Sequence, residues 1–156
     1  MNMTDSPLSL VAAACAAVLL AGCGGGSSDD AAQQQALAAQ GRQIFRFDTF
    51  GDEVQWTDKL RMHEVISQAV DPTTALSVGL KVDSEALPAA VVQGIQNGSV
   101  DLKSPATTIA LLKLDAVVGL KGTVETVNGK DTLTHVGVTC ALCHSTVDNS
   151  FAPGIG

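Results

Sequence analysis

Two thiols and an imidazole stand together in the stretch VGVTCALCHSTVDNSFAPGIG, residues 136–156. Cys140 and Cys143 are three positions apart, and His144 follows directly. Side chains at i, i+3 and i+4 of a helix share a face. Two thiols at this spacing can therefore each add to a vinyl group of one porphyrin while the imidazole lies beneath the iron. C-x-x-C-H is the spacing of covalent, c-type haem attachment: Cys140 and Cys143 are the expected thioether donors, and His144 the proximal ligand, of one haem c. Competing uses of the same groups are weaker. Zinc needs four ligands on a tetrahedron; His63 or His135 could complete the set, but the adjacent Cys143 and His144 fit poorly around one ion. A thioredoxin-like dithiol belongs at a helix start in a βαβ unit, and no such pattern surrounds residue 140. A plain structural disulfide is the third alternative.

An electron-carrying haem usually has a second axial ligand, Met or His. No Met follows His144, which leaves Met62 and His63 as candidates for the distal side. Each also has a bland reading: Met fills gaps in cores, and a lone His on an apolar stripe is commonly hydrogen-bonded structure. His135, nine residues before His144 on a segment leading into the motif, is badly placed for the opposite face.

Two further stretches carry a resemblance. GRQIFRFDTFGDE, residues 41–53, resembles the helix and loop that precede the haem motif in class I cytochromes c and in bacterial di-haem peroxidases. NSFAPGIG, residues 149–156, resembles the loop after the haem site in class I cytochromes c, and Pro153 stands where a proline carbonyl accepts the second ring proton of the proximal histidine. With residues 54–139 lying between the first stretch and the motif, the whole is similar to larger bacterial single-haem cytochrome c proteins carrying an insertion. The resemblance implies a mainly α, partial cytochrome c-like domain over residues 36–156, incomplete at its C-terminal side because those proteins continue beyond APGIG. It implies single-electron transfer between redox partner proteins. The alternative it offers is a peroxidase-like haem oxidoreductase component with an open distal site.

These residues need a scaffold and an address. Residues 8–22, LSLVAAACAAVLLAG, are uncharged and apolar, too short for a comfortable membrane span and closed by small residues, the pattern of a cleaved export signal. Leu20-Ala21-Gly22-Cys23 resembles a bacterial lipobox, which implies removal of residues 1–22 and a lipid anchor on Cys23. MNMTDSPLSL lacks the Lys or Arg with which such a signal normally starts. Gly24, rather than Asp, after Cys23 implies by resemblance to Gram-negative lipoproteins a periplasm-facing protein of the outer membrane, held to the membrane by lipid. Residues 23–35 begin with a Gly/Ser run and read as a flexible tether. With Cys15 lost and Cys23 lipidated, only Cys140 and Cys143 of the four cysteines remain in an oxidising compartment. Beyond the signal the chain keeps nine basic and fifteen acidic residues, a charge of −6, which excludes nucleic acid as a partner.

Hydrophobic spacing places the elements. Good helix formers predict a helix from Asp29 or Asp30 to Phe47. Gly41 inside it costs about 1 kcal/mol relative to Ala, a cost suited to a close backbone approach. Phe45, Phe47, Phe50 and Trp56 cluster just beyond, as core or as cofactor packing. Thr57 is the expected cap of a helix over residues 58–70, with Leu60, His63, Ser67 and Val70 on one stripe and Met62, Val65, Ile66 and Ala69 on the next. Asp71-Pro72 opens a short helix, another runs over 85–96 to Asn97-Gly98, and a fourth follows Ser104-Pro105. From Val117 the pattern changes to a hairpin about Asn128-Gly129, a type I′ turn. Its expected register faces Val127 with Lys130, Val124 with Leu133 and Gly122 with His135, and its second strand runs into Thr139 and the motif.

Overall fold

The computed structural model describes residues 28–156. The export segment, the lipidation candidate Cys23 and the glycine-rich start of the tether lie outside the described residues.

Helix α1, Ser28–Phe47, has Asp29 and Asp30 in its first turn and Arg46 in its last, the charge order that complements the helix dipole. Residues 28–35, expected as tether, are thus its opening turns; their Ala/Gln content favours helix over coil. The backbone approach expected at Gly41 is not formed, since no atom lies within 4 Å of where its Cβ would stand. Gly41–Gly156 is a compact unit. Within it, the last turn of α1 is fixed by an ion pair of 2.6 Å between Arg46 and Asp83, while the Arg46 guanidinium and the Lys121 ammonium stand 5.8 and 5.7 Å from the centre of the Phe47 ring.

The helix expected over 58–70 is broken. Val54–Lys59 is a π-helical turn, Arg61 turns left-handed at φ 52°, and only Met62–Ala69 is α-helix (α2). Thr57 caps nothing. Its hydroxyl accepts from the backbone N–H of Val136 at 3.0 Å, a buried group that would otherwise be unsatisfied, and this demand overrides the local helix pattern. Of the expected stripes only Ile66 is fully buried, flanked by Met62, His63 and Val70; Leu60 and Val65 are exposed. Helix α3, Pro72–Ser77, starts as expected, with the Asp71 carboxylate accepting from the Thr74 N–H at 2.8 Å. The helix expected over 85–96 is two pieces, a 3-10 turn Ser84–Ala86 and α4, Ala89–Gln96, because Pro88 lacks the N–H a continuous helix needs. Helix α5 is Pro105–Lys113.

Strands β1, Lys81–Val82, and β2, Val117–Val118, pair antiparallel, a contact that sequence spacing did not reveal. Gly119 ends β2, and the hairpin of β3, Leu120–Val127, and β4, Lys130–Val138, follows. Asn128 and Gly129 have φ of 52° and 76°, as a type I′ turn requires. Val127 faces Lys130 and Val124 faces Leu133 as expected, but the register then shifts by one: Thr123 pairs with His135 and Gly122 with Val136. Thr134 is the extra residue of a β-bulge. Strict alternation would send His135 inward and Val136 outward; the bulge buries Val136 beside Leu133 and leaves His135 exposed.

Helix α5 lies across the hairpin. Leu112, 1% exposed, packs where Gly122 has no side chain, and Ile66, Val82, Leu87, Ile109, Val117, Leu133, Val136 and Ile155 complete an aliphatic core. Phe45, Phe47, Phe50 and Trp56 all lie outside that core.

Candidate functional site

Strand β4 delivers the chain into α6, Ala141–His144, a single turn with Cys140 as its N-cap. The His144 N–H donates to the Cys140 carbonyl at 3.2 Å and the Leu142 N–H to the Thr139 carbonyl at 3.1 Å. At about 100° per residue, Cys143, Cys140 and His144 span an arc of about 100° on one side of the turn, and Leu142 points about 160° away from His144. Beside this arc Ala141 is 0% and Thr139 1% exposed, while Leu142 on the opposite side is 37% exposed. Cys143 and His144 are exposed and Cys140 half-buried, both thiols are free, and the His144 ring makes no hydrogen bond among the described residues. The two cysteines and the histidine stand on one turn, facing outward.

The turn rests on a built seat. The Thr139 N–H donates to the Gly119 carbonyl at 3.0 Å, and a Cβ at Gly119, whose φ is 86°, would run into the backbone of Leu142. The outer edge of β4 is covered by residues 49–57. Thr49 forms an isolated bridge with Thr139, and the Phe50 N–H donates to the Val138 carbonyl at 3.1 Å. The Asp52 carboxylate accepts from the Val138 N–H at 3.1 Å and from the Trp56 indole N–H at 2.7 Å, and Thr57 takes the Val136 N–H. Gly137 leaves room for the Thr49 methyl and the Glu53 carboxylate. The fold thus brings residues 49–53 against the end of β4, immediately before the C-x-x-C-H run. Sequence reasoning missed Gly119, Asp52 and Thr57 in this support, because each acts through partners distant in sequence.

On the Leu142 side of the turn opens an apolar cleft of about 270 Å³, walled by Trp56, Met62, Val70, Val78, Leu120 and Val138. Met62 and Leu142 thus line one cleft. His63 is not in that cleft; its Nδ1 is buried without a partner and its Nε2 lies 3.8 Å from the Glu64 carboxylate. His135 is exposed on β4, with Nδ1 3.2 Å from the Thr134 hydroxyl. Pro153 is exposed in the tight turn Ala152–Ile155, which is tied to β1 by bonds from the Val82 N–H to the Gly154 carbonyl at 2.9 Å and from the Gly156 N–H to the Val82 carbonyl at 3.1 Å. No hydrogen bond joins Pro153 to His144.

These donors fit the proximal half of a c-type haem site: two free thiols at i and i+3, an unengaged imidazole at i+4, and a turn whose first residues are flanked by the buried Thr139 and Ala141. No group of three or more His, Cys, Asp or Glu side chains among the described residues is arranged to hold a bare metal ion. No protein-family model, curated protein or solved structure matches this chain.

Proposed function

We propose that this chain is a c-type cytochrome of the cell envelope, carrying one haem c and passing single electrons between redox partner proteins. The observation that carries the reading is the outward-facing turn on which Cys140, Cys143 and His144 share an arc, with the fully buried Thr139 and Ala141 on either side of Cys140 anchoring it. Cys140 and Cys143 would hold the haem through two thioethers, each thiol S–H adding across a vinyl C=C with nothing released. His144 would supply a nitrogen ligand to the iron, and by the resemblance the Pro153 carbonyl would accept from its other ring N–H once haem is held. A bound haem supplies a reversible one-electron iron couple. The protein's share is to hold the attachment turn against the body.

The lipobox-like residues 20–23 support export and an anchor at Cys23, and with Gly24 an outer-membrane address facing the periplasm. A second reading, a peroxidase-like component with an open distal site, is favoured by one observation: Met62 lines the apolar cleft beside Leu142, and the His63 ring lies against the Glu64 carboxylate.

The test is production alongside cytochrome-maturation machinery. The expected product is heavier than its polypeptide by one haem and gives a pyridine haemochrome spectrum; a colourless product of unmodified mass overturns the proposal. Low-spin bands indifferent to cyanide and peroxide support the electron carrier, and a high-spin ferric spectrum that shifts on adding either supports the second reading.

A further inference from the structure

Resting on the c-type reading, we infer that Gly119 is a positioning residue for haem attachment, holding the Cys140–His144 turn in the conformation and direction the two thiols need. A helix of one turn does not hold itself together, because nucleation fixes several residues for a single hydrogen bond. Something outside α6 must stabilise it. The seat at the β2–β3 junction does so by three means. The Gly119 carbonyl accepts the Thr139 N–H at 3.0 Å, just before Cys140. The Leu142 backbone lies in the space a side chain at position 119 would occupy. Thr139 and Ala141, on either side of Cys140, are both fully buried and pin the start of the turn to the body. Helix geometry sets the thiols and imidazole relative to one another, and Gly119 sets where that face points.

Alanine at 119 has two effects. Its φ of 86° is left-handed, which is strained for any residue with a Cβ, and that Cβ forces α6 outward. Gly98 separates them: its φ is 75° and nothing lies within 4 Å of its Cβ position, so Gly98→Ala imposes the strain without the collision.

The experiment compares the full chain with Gly119→Ala and Gly98→Ala, each made with maturation machinery. Haem per polypeptide is read by pyridine haemochrome, and amide exchange is followed at Thr139, Leu112 and Leu133. Wild type and Gly98→Ala are expected to carry equal haem with a protected Thr139 amide. Gly119→Ala should carry about tenfold less, the scale on which outer supports of a metal ligand act, with Thr139 unprotected and Leu112 and Leu133 unchanged. A fully loaded Gly119→Ala chain with Thr139 protected overturns the positioning role. So does loss of protection at Leu112 and Leu133, because the glycine then serves the whole fold. A wild-type chain without haem overturns the c-type reading itself, an outcome distinguishable from both.

Discussion

At the scale of residues, Cys140 and Cys143 are equivalent in type but not in setting, since Cys140 is half-buried beside the β4 edge and Cys143 is exposed. On the proposed chemistry, Cys140→Ala and Cys143→Ala each leave one thioether and one intact vinyl. The haemochrome band of either variant should move to longer wavelength, because the surviving vinyl extends the conjugated system; an unshifted band would rule out two thioethers in the parent. Thr57 makes a different kind of prediction. Valine keeps its shape but leaves the buried Val136 N–H without an acceptor, so Thr57→Val should lose about 1–3 kcal/mol in urea unfolding. A loss near zero would mean that water reaches this edge of β4.

At the scale of elements, the hairpin and the broken second helix show what local pattern reveals and what it hides. Asn128-Gly129 announces its turn because only certain residues accept two successive positive φ values, and the pairs next to the turn follow from it. The bulge at Thr134 has no such signature: it exists because Leu133 and Val136 both meet the core under α5, a demand set by residues far away in the chain. Deleting Thr134 keeps both side chains inward and removes only the extra residue and its hydroxyl bond to the Thr123 carbonyl. The deletion should therefore lower the thermal midpoint by less than Leu112→Ala, which opens a core cavity costing about 2–5 kcal/mol. A larger drop for the deletion would show that the bulge's twist, rather than its register, holds the hairpin. The stretch 54–61 likewise has helix-compatible spacing, and the need of β4 for side-chain acceptors turned it into a π-helical turn.

At the scale of the whole molecule, surface carboxylates tie distant pieces together. The Lys113 ammonium at 2.7 Å holds the Asp131 carboxyl below its ordinary value, with the Thr126 hydroxyl assisting, and so links α5 to β4. The Thr73 hydroxyl and the Thr74 N–H likewise lower Asp71, and Ser150 lowers Asp148, each within its own turn. A carboxyl lowered in the folded state stabilises it fully above the unfolded value, about 3.9, and loses that contribution as pH falls through the lower folded value. The thermal-midpoint difference between wild type and Asp131→Asn should therefore be constant from neutral pH to about 5 and close below about 4. It should also shrink in high salt, since the pair is at the surface. A difference that widens on acidification would contradict the sign.

The sequence by itself determined the chemistry on offer and the helices with strong local signals: the C-x-x-C-H spacing, the Asp71 cap, the Asn-Gly turn and the long α1. These are properties of residues within a few positions of one another. Only the tertiary structure decided where the attachment turn rests, which face it presents and how residues 49–57 meet β4. Those outcomes depend on satisfying buried backbone groups and filling volume between segments far apart in the chain, and neither requirement leaves a periodic trace.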